Sequence, residues 1–385
     1  MNDSFLFILG RAPELSATEL FAIFPENEKI LRSRSVIEIS DISSEPSEIL
    51  QILGGITKIA RKLAVQETVS PQSIALILAQ LPHKNSKVSF AISALEGYFL
   101  PKKFLDDTKK ELKNMGISSR FVEAKDGVLS SIVFEGQELI ELIVFSVPEG
   151  ACVAQTVAVQ DAQEWNDRDY GRPYADAKRG MLPLKVSRMI ANIALGKTAK
   201  GKVFVDPFCG MGTVIGEAYL RGATTIGMDI DPLATEKADK NMKWLSSRQK
   251  DQEIVPPRMI VGDAVHLSDY IHEKVDAIAT EPYMGKTSVG LQKEPNVEIV
   301  KNTLKGLEKL YIGCLKNWHQ ILNSNGVVVM AIPSYIINNH EYTVKTIIDS
   351  CEKFGYIIDV GPLTYSRPQA VVKRNFYIFR KITNS

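Results

Sequence analysis

The 385-residue chain has little to offer metal or disulfide chemistry: four scattered cysteines (Cys152, Cys209, Cys314, Cys351), no CxxC pair, and five histidines. That argues against a zinc site and against a disulfide framework, and it fits a reducing compartment. No metal is expected. No stretch of about 18 residues runs apolar without charge, so no transmembrane helix is expected. The opening MNDSFLFILGRAPELSATEL lacks a basic region and a small-residue cleavage site. No secretory signal is read there, and the expected location is the cytoplasm. No internal repeat or low-complexity tract occurs. Charge of one sign is also missing. The 46 Lys/Arg and 45 Asp/Glu leave a net charge of +1, so no global field announces a polyanionic partner.

What is present is ordinary globular material, 45% hydrophobic and 24% charged. The length suggests two or three domains. Charge is unevenly spread: residues 1–150 carry 16 basic and 20 acidic side chains, and the remainder 30 and 25. Residues 83–125 hold nine Lys/Arg against five Asp/Glu. No acid follows Asp359, whereas Arg367, Lys373, Arg374, Arg380 and Lys381 do. A solvated surface is the bland reading of either run, and a phosphate-facing surface the sharper one.

Residues 1–150 mix helix and strand and predict an α+β region. Ser16–Phe24 reads as a helix with Ser16 as N-cap and Glu19 completing a capping box. Residues 101–116 read as an amphipathic helix ended by Gly116, with Phe104, Leu105, Thr108, Leu112 and Met115 on one face and lysines opposite. Strand-like runs follow at 120–124, 129–134 and 140–146. Residues 151–196 read as an extended Gly-, Pro- and charge-rich connector followed by the helix 184–195, stopped by Gly196. From 197 to 385 strands alternate with helices. Strands are predicted at 202–206, 224–230, 258–264, 275–281, 326–332, 356–360 and 375–381. Helices are predicted at 213–221, 232–246, 298–322 and 343–353. The pattern implies a doubly wound, mostly parallel seven-stranded α/β sheet. The last strand, reached without a helix, should be antiparallel.

The first strand ends in Asp206-Pro207-Phe208-Cys209-Gly210-Met211-Gly212-Thr213. Glycines at a strand–helix turn let backbone approach a ligand. No Walker lysine follows, which argues against phosphate cradling, and the terminal carboxylate of Asp206 points to a cationic or amine-bearing ligand. The second strand ends in Gly227-Met228-Asp229-Ile230-Asp231, an acid placed to grip a ribose. The third ends in Gly262-Asp263-Ala264, where Asp263 can accept from an exocyclic amine. Each acid alone is more often a turn or cap residue. Three at successive strand ends beside a glycine turn form a constellation.

These motifs, with Thr280-Glu281-Pro282-Tyr283 after the fourth strand, resemble class I S-adenosylmethionine-dependent methyltransferases. The order of parts, with Arg172-Pro173-Tyr174 and Gly180-Met181-Leu182-Pro183-Leu184-Lys185 ahead of the glycine turn, resembles the archaeal-type THUMP-domain tRNA guanosine-N2-methyltransferases. The resemblance covers residues 160–385 and extends to a THUMP-like, RNA-binding role for the N-terminal region. It implies S-adenosylmethionine as cofactor. Asp206, Phe208, Gly210, Gly212 and Thr213 would approach its methionine part, and Asp229 would hold its ribose. Ile230 would pack on its adenine, Asp263 and Ala264 would bind the adenine edge, and Met181 and Pro183 would wall the methionine side.

The family pattern after the fourth strand is Asp or Asn, Pro, Pro, Tyr or Phe. A carboxylate or amide oxygen and a backbone carbonyl accept from the exocyclic amine while an aromatic ring stacks on the base. Pro282 and Tyr283 match; Thr280 stands in the acid's place, and a one-residue slip makes Glu281 the acceptor. A purely structural alternative pairs Glu281 with a local lysine such as Lys286.

The implied reaction is methylation of guanosine N2 in tRNA, of the position-10 type. The implied partner is tRNA, with a monomer expected and no membrane. RNA contacts are assigned to Lys102, Lys103, Lys109, Lys110, Lys113, Arg367, Lys373 and Arg374. A DNA amino-methyltransferase, of the N6-adenine or N4-cytosine type, would share the catalytic motif. It should carry its recognition domain within or after the catalytic one, however. A non-catalytic RNA-binding relative is the third reading.

Overall fold

The computed structural model describes residues 3–82, 87–123, 129, 134, 139–175, 181–249, 255–285, 297–366 and 372–382. The chain divides into two compact units, one of Met1–Pro13 and Glu26–Asn166, the other of Glu14–Pro25 and Asp167–Ser385. The expected boundary at 150 is displaced at both ends. Residues 14–25 fold with the second unit because the polar side chains of their helix, Pro13–Ile23, turn inward. Ser16 Oγ lies 3.6 Å from Met189 Sδ, and Glu19 Oε1 accepts from Asn192 Nδ2 at 2.6 Å. Ser16 is therefore a buried mid-helix residue and not an N-cap.

The first unit is an eight-stranded sheet. Its strands are β1 (Asp3–Leu9), β2 (Lys29–Ser33), β3 (Val36–Ile42), β4 (Ile56–Gln66), β5 (Val88–Ala94), β6 (Ser119–Phe121), β7 (Ile140–Val147) and β8 (Gly150–Val159). They lie in the order β2-β3-β1-β4-β8-β7-β5-β6. β5 pairs in parallel with β6 and β7, and the other neighbours are antiparallel. β8 is an interior strand, which is why the unit runs past residue 150. A buried ion pair sits within it: Lys58 Nζ lies 2.5 Å from Glu141 Oε1, and Thr156 Oγ1 donates to Glu141 Oε2 at 2.6 Å. The helix expected at 101–116 forms over Phe104–Asn114, burying Phe104, Thr108 and Leu112. Gly116 follows it in the left-handed region. Of the strand expected at 129–134, all but Leu129 and Phe134 lie outside the described residues.

The second unit carries the expected seven-stranded sheet. Its strands are β9 (Val203–Asp206), β10 (Thr224–Asp229), β11 (Arg258–Val261), β12 (Val275–Thr280), β13 (Leu322–Ile337), β15 (Tyr356–Tyr365) and β16 (Val372–Lys381), with β14 (His340–Thr343) a hairpin partner of β13. The order is β11-β10-β9-β12-β13-β16-β15. The first five are parallel, and β16 lies antiparallel between β13 and β15. Central strands covered on both faces require continuous apolar runs. Phe204, Val205, Ala277, Ile278, Ala279, Val328 and Val329 are accordingly buried without alternation. From β9 the chain winds to β10 and β11 on one side, then to β12 and β13 on the other. The carboxyl ends of β9 and β12 thus flank the switch point where such sheets bind ligands.

Helix Val297–Ile321 covers one face through Val300, Leu304, Leu307, Tyr311, Cys314, Leu315, Trp318 and Ile321. Each large aliphatic side chain buried there contributes about 1.5–3 kcal/mol before the cost of ordering. Helix Leu184–Leu195 forms as predicted and ends at Gly196. Two expectations are corrected. Part of the extended connector is helix, Ala162–Tyr170, started by Asp161 Oδ1 accepting from Glu164 N at 2.9 Å. The helix expected at 343–353 is broken into β14, a short Thr346–Asp349 turn and a Cys351–Phe354 turn.

Candidate methyl-transfer site

The turn after β9 folds on its own backbone. Cys209 N donates to Met228 O at 2.8 Å, and Gly212 N donates to Cys209 O at 2.7 Å. Gly210 (φ +52°) and Gly212 (φ +81°) occupy the left-handed region that L-residues avoid. The two glycines differ in surroundings. A Cβ on Gly212 would come within 3.2 Å of Met242, whereas one on Gly210 would meet nothing within 4 Å. Gly212 therefore packs against helix Pro232–Ser247, and Gly210 leaves the outer side of the turn open. Thr213 begins helix Thr213–Leu220.

The three acids stand at three strand ends. Asp206 is buried, and its Oδ1 accepts from Phe208 N at 3.1 Å and from Thr280 Oγ1 at 2.6 Å. Burial pushes its carboxyl up to about 7, against the hydrogen bond from Thr280; the charges of Asp229 and Glu281 add to the rise. Asp229 is half-buried, with Oδ2 accepting from Gly210 N and Oδ1 from Asp231 N, each at 2.9 Å. Asp263 Oδ1 caps the following turn by accepting from Val265 N at 3.1 Å. Each acid thus has the local structural duty of a turn residue, yet a carboxylate offers about four acceptor sites, so capacity for a ligand remains. Ile230, directly after Asp229, is 70% exposed. Ala264 is buried, its carbonyl accepting from Trp318 Nε1 at 2.9 Å, and Trp318 also meets Phe208 edge-on at 6.4 Å.

The segment after β12 is anchored from several elements. Thr280 is fully buried, and its hydroxyl points back to Asp206. Glu281 Oε1 accepts from Arg374 Nε of β16 at 2.5 Å, both side chains being 17% exposed. Tyr311 Oη donates to the Tyr283 carbonyl at 2.7 Å, and Tyr335 Oη donates to the Met284 carbonyl. The Tyr283 ring itself is 54% exposed. Gly285 (φ +89°) closes the turn; a Cβ there would lie 2.5 Å from Tyr335 Oη. Burial drives the Tyr311 and Tyr335 hydroxyls upward, Tyr335 to about 12, so both remain donors.

The segment ahead of the glycine turn is tied to it. Arg172 Nη1 donates to Thr213 Oγ1 at 3.2 Å, and Asn241 Nδ2 donates both to Tyr174 O (2.9 Å) and to Met211 O (3.0 Å). Met181 and Pro183 are half-buried at the start of helix Leu184–Leu195, which packs against helix Thr213–Leu220 and strands β12 and β13. Gly180 and Lys286 lie outside the described residues. Cys209 is buried, and burial raises its thiol well above the ordinary range, which fits a packing role.

Among the cations expected to face RNA, Arg374 is instead engaged with Glu281. Arg367 lies outside the described residues, and Lys373 is half-buried on β16. In the first unit Lys102, Lys103, Lys109, Lys110 and Lys113 are exposed. Lys110 pairs with Asp107 at 2.9 Å, and Lys109 lies over the Phe121 ring at 5.9 Å. Sequence reasoning missed Asn241, Tyr311, Tyr335 and the pairing of Arg374. The period of the 297–321 helix marks Tyr311 as core, and nothing in that period reports where its hydroxyl points.

No protein-family model matches the chain. Among curated proteins it is similar to the tRNA (guanine(10)-N2)-dimethyltransferases of Methanothermobacter thermautotrophicus (30% identity over 186 residues, 48% of each chain) and Methanocaldococcus jannaschii (28% over 190 residues, 47% of each). The chain spans about half the length of the curated relatives it matches. Among solved structures, TrmN from Thermus thermophilus aligns with 98% of this chain and all of its own at 17% identity and a TM-score of 0.56. SMU.472, solved in complex with SAH, aligns over the full length of both chains at 13% identity and a TM-score of 0.50. With the strand order above, these likenesses give the chain the fold of the class I S-adenosylmethionine-dependent methyltransferases.

Proposed function

We propose that the chain transfers a methyl group from S-adenosylmethionine to the exocyclic N2 of a guanosine in tRNA. The observation that carries the reading is the Glu281–Gly285 segment. It is tethered at the carboxyl end of β12 next to the buried Asp206 of β9, and it presents a carboxylate, a proline and an exposed aromatic ring together. The curated relatives, named for methylation at guanine N2, support the substrate class.

The residues present fit the cofactor. The turn is open at Gly210, an exposed aliphatic side chain follows Asp229, and acids stand at three successive strand ends, which suits a ligand that carries positive charge. Asp206 and the backbone of 208–213 would hold its methionine part. Asp229 would hold the ribose, Ile230 would pack on the adenine, and Asp263 would accept from the adenine amine. When bound, it supplies an electrophilic methyl on a sulfonium.

The chain's own residues prepare the acceptor. Glu281 accepts one hydrogen of the exocyclic amine and the Pro282 carbonyl accepts the other, which aims the nitrogen lone pair out of the base plane. Tyr283 stacks on the base and fixes that plane, a contact worth about 1–3 kcal/mol in single-strand binders. As nitrogen gains the methyl it becomes acidic, and Glu281 takes the departing proton. The first unit, through Lys102, Lys103, Lys109, Lys110 and Lys113, supplies phosphate contacts that carry affinity without sequence information. Incubation of unmodified tRNA with the protein and S-adenosylmethionine, followed by nucleoside mass spectrometry, tests the reading. N2-methylguanosine or its dimethyl form is expected. Methylation of adenine or cytosine in DNA with none in tRNA overturns it.

A further inference from the structure

Among the described residues of the acid-free C-terminal stretch, Arg374 is tied by its side chain to the target segment. It sits on β16, opposite Pro333 of β13, and its side chain reaches past β13 to the segment that follows β12. Its Nε lies 2.5 Å from Glu281 Oε1, and only 17% of either side chain is exposed. A guanidinium bonded to a carboxylate at this distance is committed to that partner and is not a hydrated surface cation. A charge-assisted bond from a planar donor also fixes carboxylate orientation in a way that a hydrated point charge does not.

Glu281 is a long side chain just past a strand end, with three rotatable bonds to its carboxylate. Aspartate, one methylene shorter, is the commoner residue in such motifs, and the extra methylene needs a second constraint to hold one geometry. The backbone of the segment is already held by Tyr311, Tyr335 and the φ of Gly285. The side chain is held by Arg374.

We propose that Arg374 is the positioning residue of the methyl-accepting site, fixing the Glu281 carboxylate where it takes the hydrogen bond of the target amine. The inference rests on the functional reading above. It differs from a phosphate contact in a measurable way, because whatever Arg374 contributes through Glu281 is lost once Glu281 is gone, so the two substitutions are not additive.

The test uses the full chain and four variants: Arg374→Ala, Arg374→Lys, Glu281→Ala and the double Arg374→Ala/Glu281→Ala. Steady-state methylation of tRNA, calorimetric binding of S-adenosylmethionine and the salt dependence of tRNA binding are measured for each. Arg374→Ala should lower kcat about 10–100-fold, the scale of an acceptor misplaced by about 1 Å. Cofactor affinity and the salt slope should not change. Arg374→Lys, which keeps the charge and guards against a folding defect, should lose kcat without restoring the fork geometry. The double variant should be no slower than Glu281→Ala.

If instead the losses multiply, the salt slope drops by about one and lysine substitutes freely, Arg374 is a phosphate contact and the inference falls while the functional reading stands. A wild-type protein that transfers no methyl to tRNA overturns the functional reading, and this inference with it.

Discussion

Cofactor binding should expel a proton from Asp206. The carboxyl is buried, and burial holds it near 7 despite the hydrogen bond from Thr280. A ligand carrying a sulfonium and an ammonium favours the ionised form, so a carboxyl that was protonated must lose its proton on binding. With a midpoint near 7, about 0.9 proton is released at pH 6, about 0.5 at pH 7 and about 0.1 at pH 8. Apparent affinity should therefore rise close to tenfold per pH unit below about 6.5 and level off above about 8. The same shift sets a stability trend in the ligand-free protein. The folded pKa lies above the ordinary 3.8, so the folded state binds a proton that the unfolded state does not between about 4 and 7. The stability from this group is present below about pH 4 and is lost as pH rises through about 7, with a limiting swing of about 4 kcal/mol. Calorimetry of S-adenosylmethionine binding in buffers of different ionisation heat counts the protons directly. The reasoning is refuted if no release is seen at pH 6, or if Asp206→Asn releases as many as the wild type. Thr280→Val removes a donor to the ionised form and should move the affinity profile to higher pH.

The other predictions concern neighbouring parts. Gly285→Ala forces a Cβ to within 2.5 Å of Tyr335 Oη at a positive φ, so it should cost about 1–2 kcal/mol of backbone strain and slow turnover more than it lowers Tm. An unchanged kcat would say that this turn is not shaping the acceptor. Asp229→Asn keeps one acceptor oxygen, whereas Asp229→Ala also orphans Gly210 N and Asp231 N. The alanine variant should lose about 1–3 kcal/mol of cofactor binding by calorimetry, and more than asparagine does. Charge reversal at Lys109 and Lys110 should weaken tRNA binding in filter assays and flatten its salt dependence, with cofactor affinity as the control.

Much of the second unit is legible in the sequence because its signals are local. Strand–helix alternation, glycine turns and acids at strand ends give the sheet class and strand number and place Asp206, Asp229 and Asp263 at successive strand ends, whereas the strand order comes from the structure. The misreadings have a common physical origin in partners that the local pattern does not show. Ser16 and Glu19 look like a cap on a free helix end; their partners Met189 and Asn192 lie 173 residues away. Arg374 looks like a solvent cation because its partner lies 93 residues earlier. The 162–170 helix is charged and runs directly into the Gly- and Pro-containing residues 171–173, which hide it in the local pattern, and Asp161 caps its start. In the first unit, β8 pairs with β4 and β7, a non-local arrangement to which a composition boundary at 150 is blind.

The choice between Thr280 and Glu281 as amine acceptor turns on tethering. Successive side chains at a strand end point to opposite sides. Thr280, the last residue of β12, faces the sheet interior, is fully buried and donates its proton to Asp206. Its oxygen has no open path to a base. Glu281, just past the end of β12, retains some exposure and is anchored by Arg374. Tyr283, two positions on, carries the exposed ring. Thr280 thereby links the acceptor strand to Asp206, whose protonation is predicted above to follow cofactor binding. On the proposed reading, Glu281 and Tyr283 meet the base. On that reading, threonine in place of the motif's usual acid removes no acceptor. It places a neutral donor beside a carboxyl that burial already drives upward, and it moves the negative charge one residue along, to where an arginine from β16 can hold it.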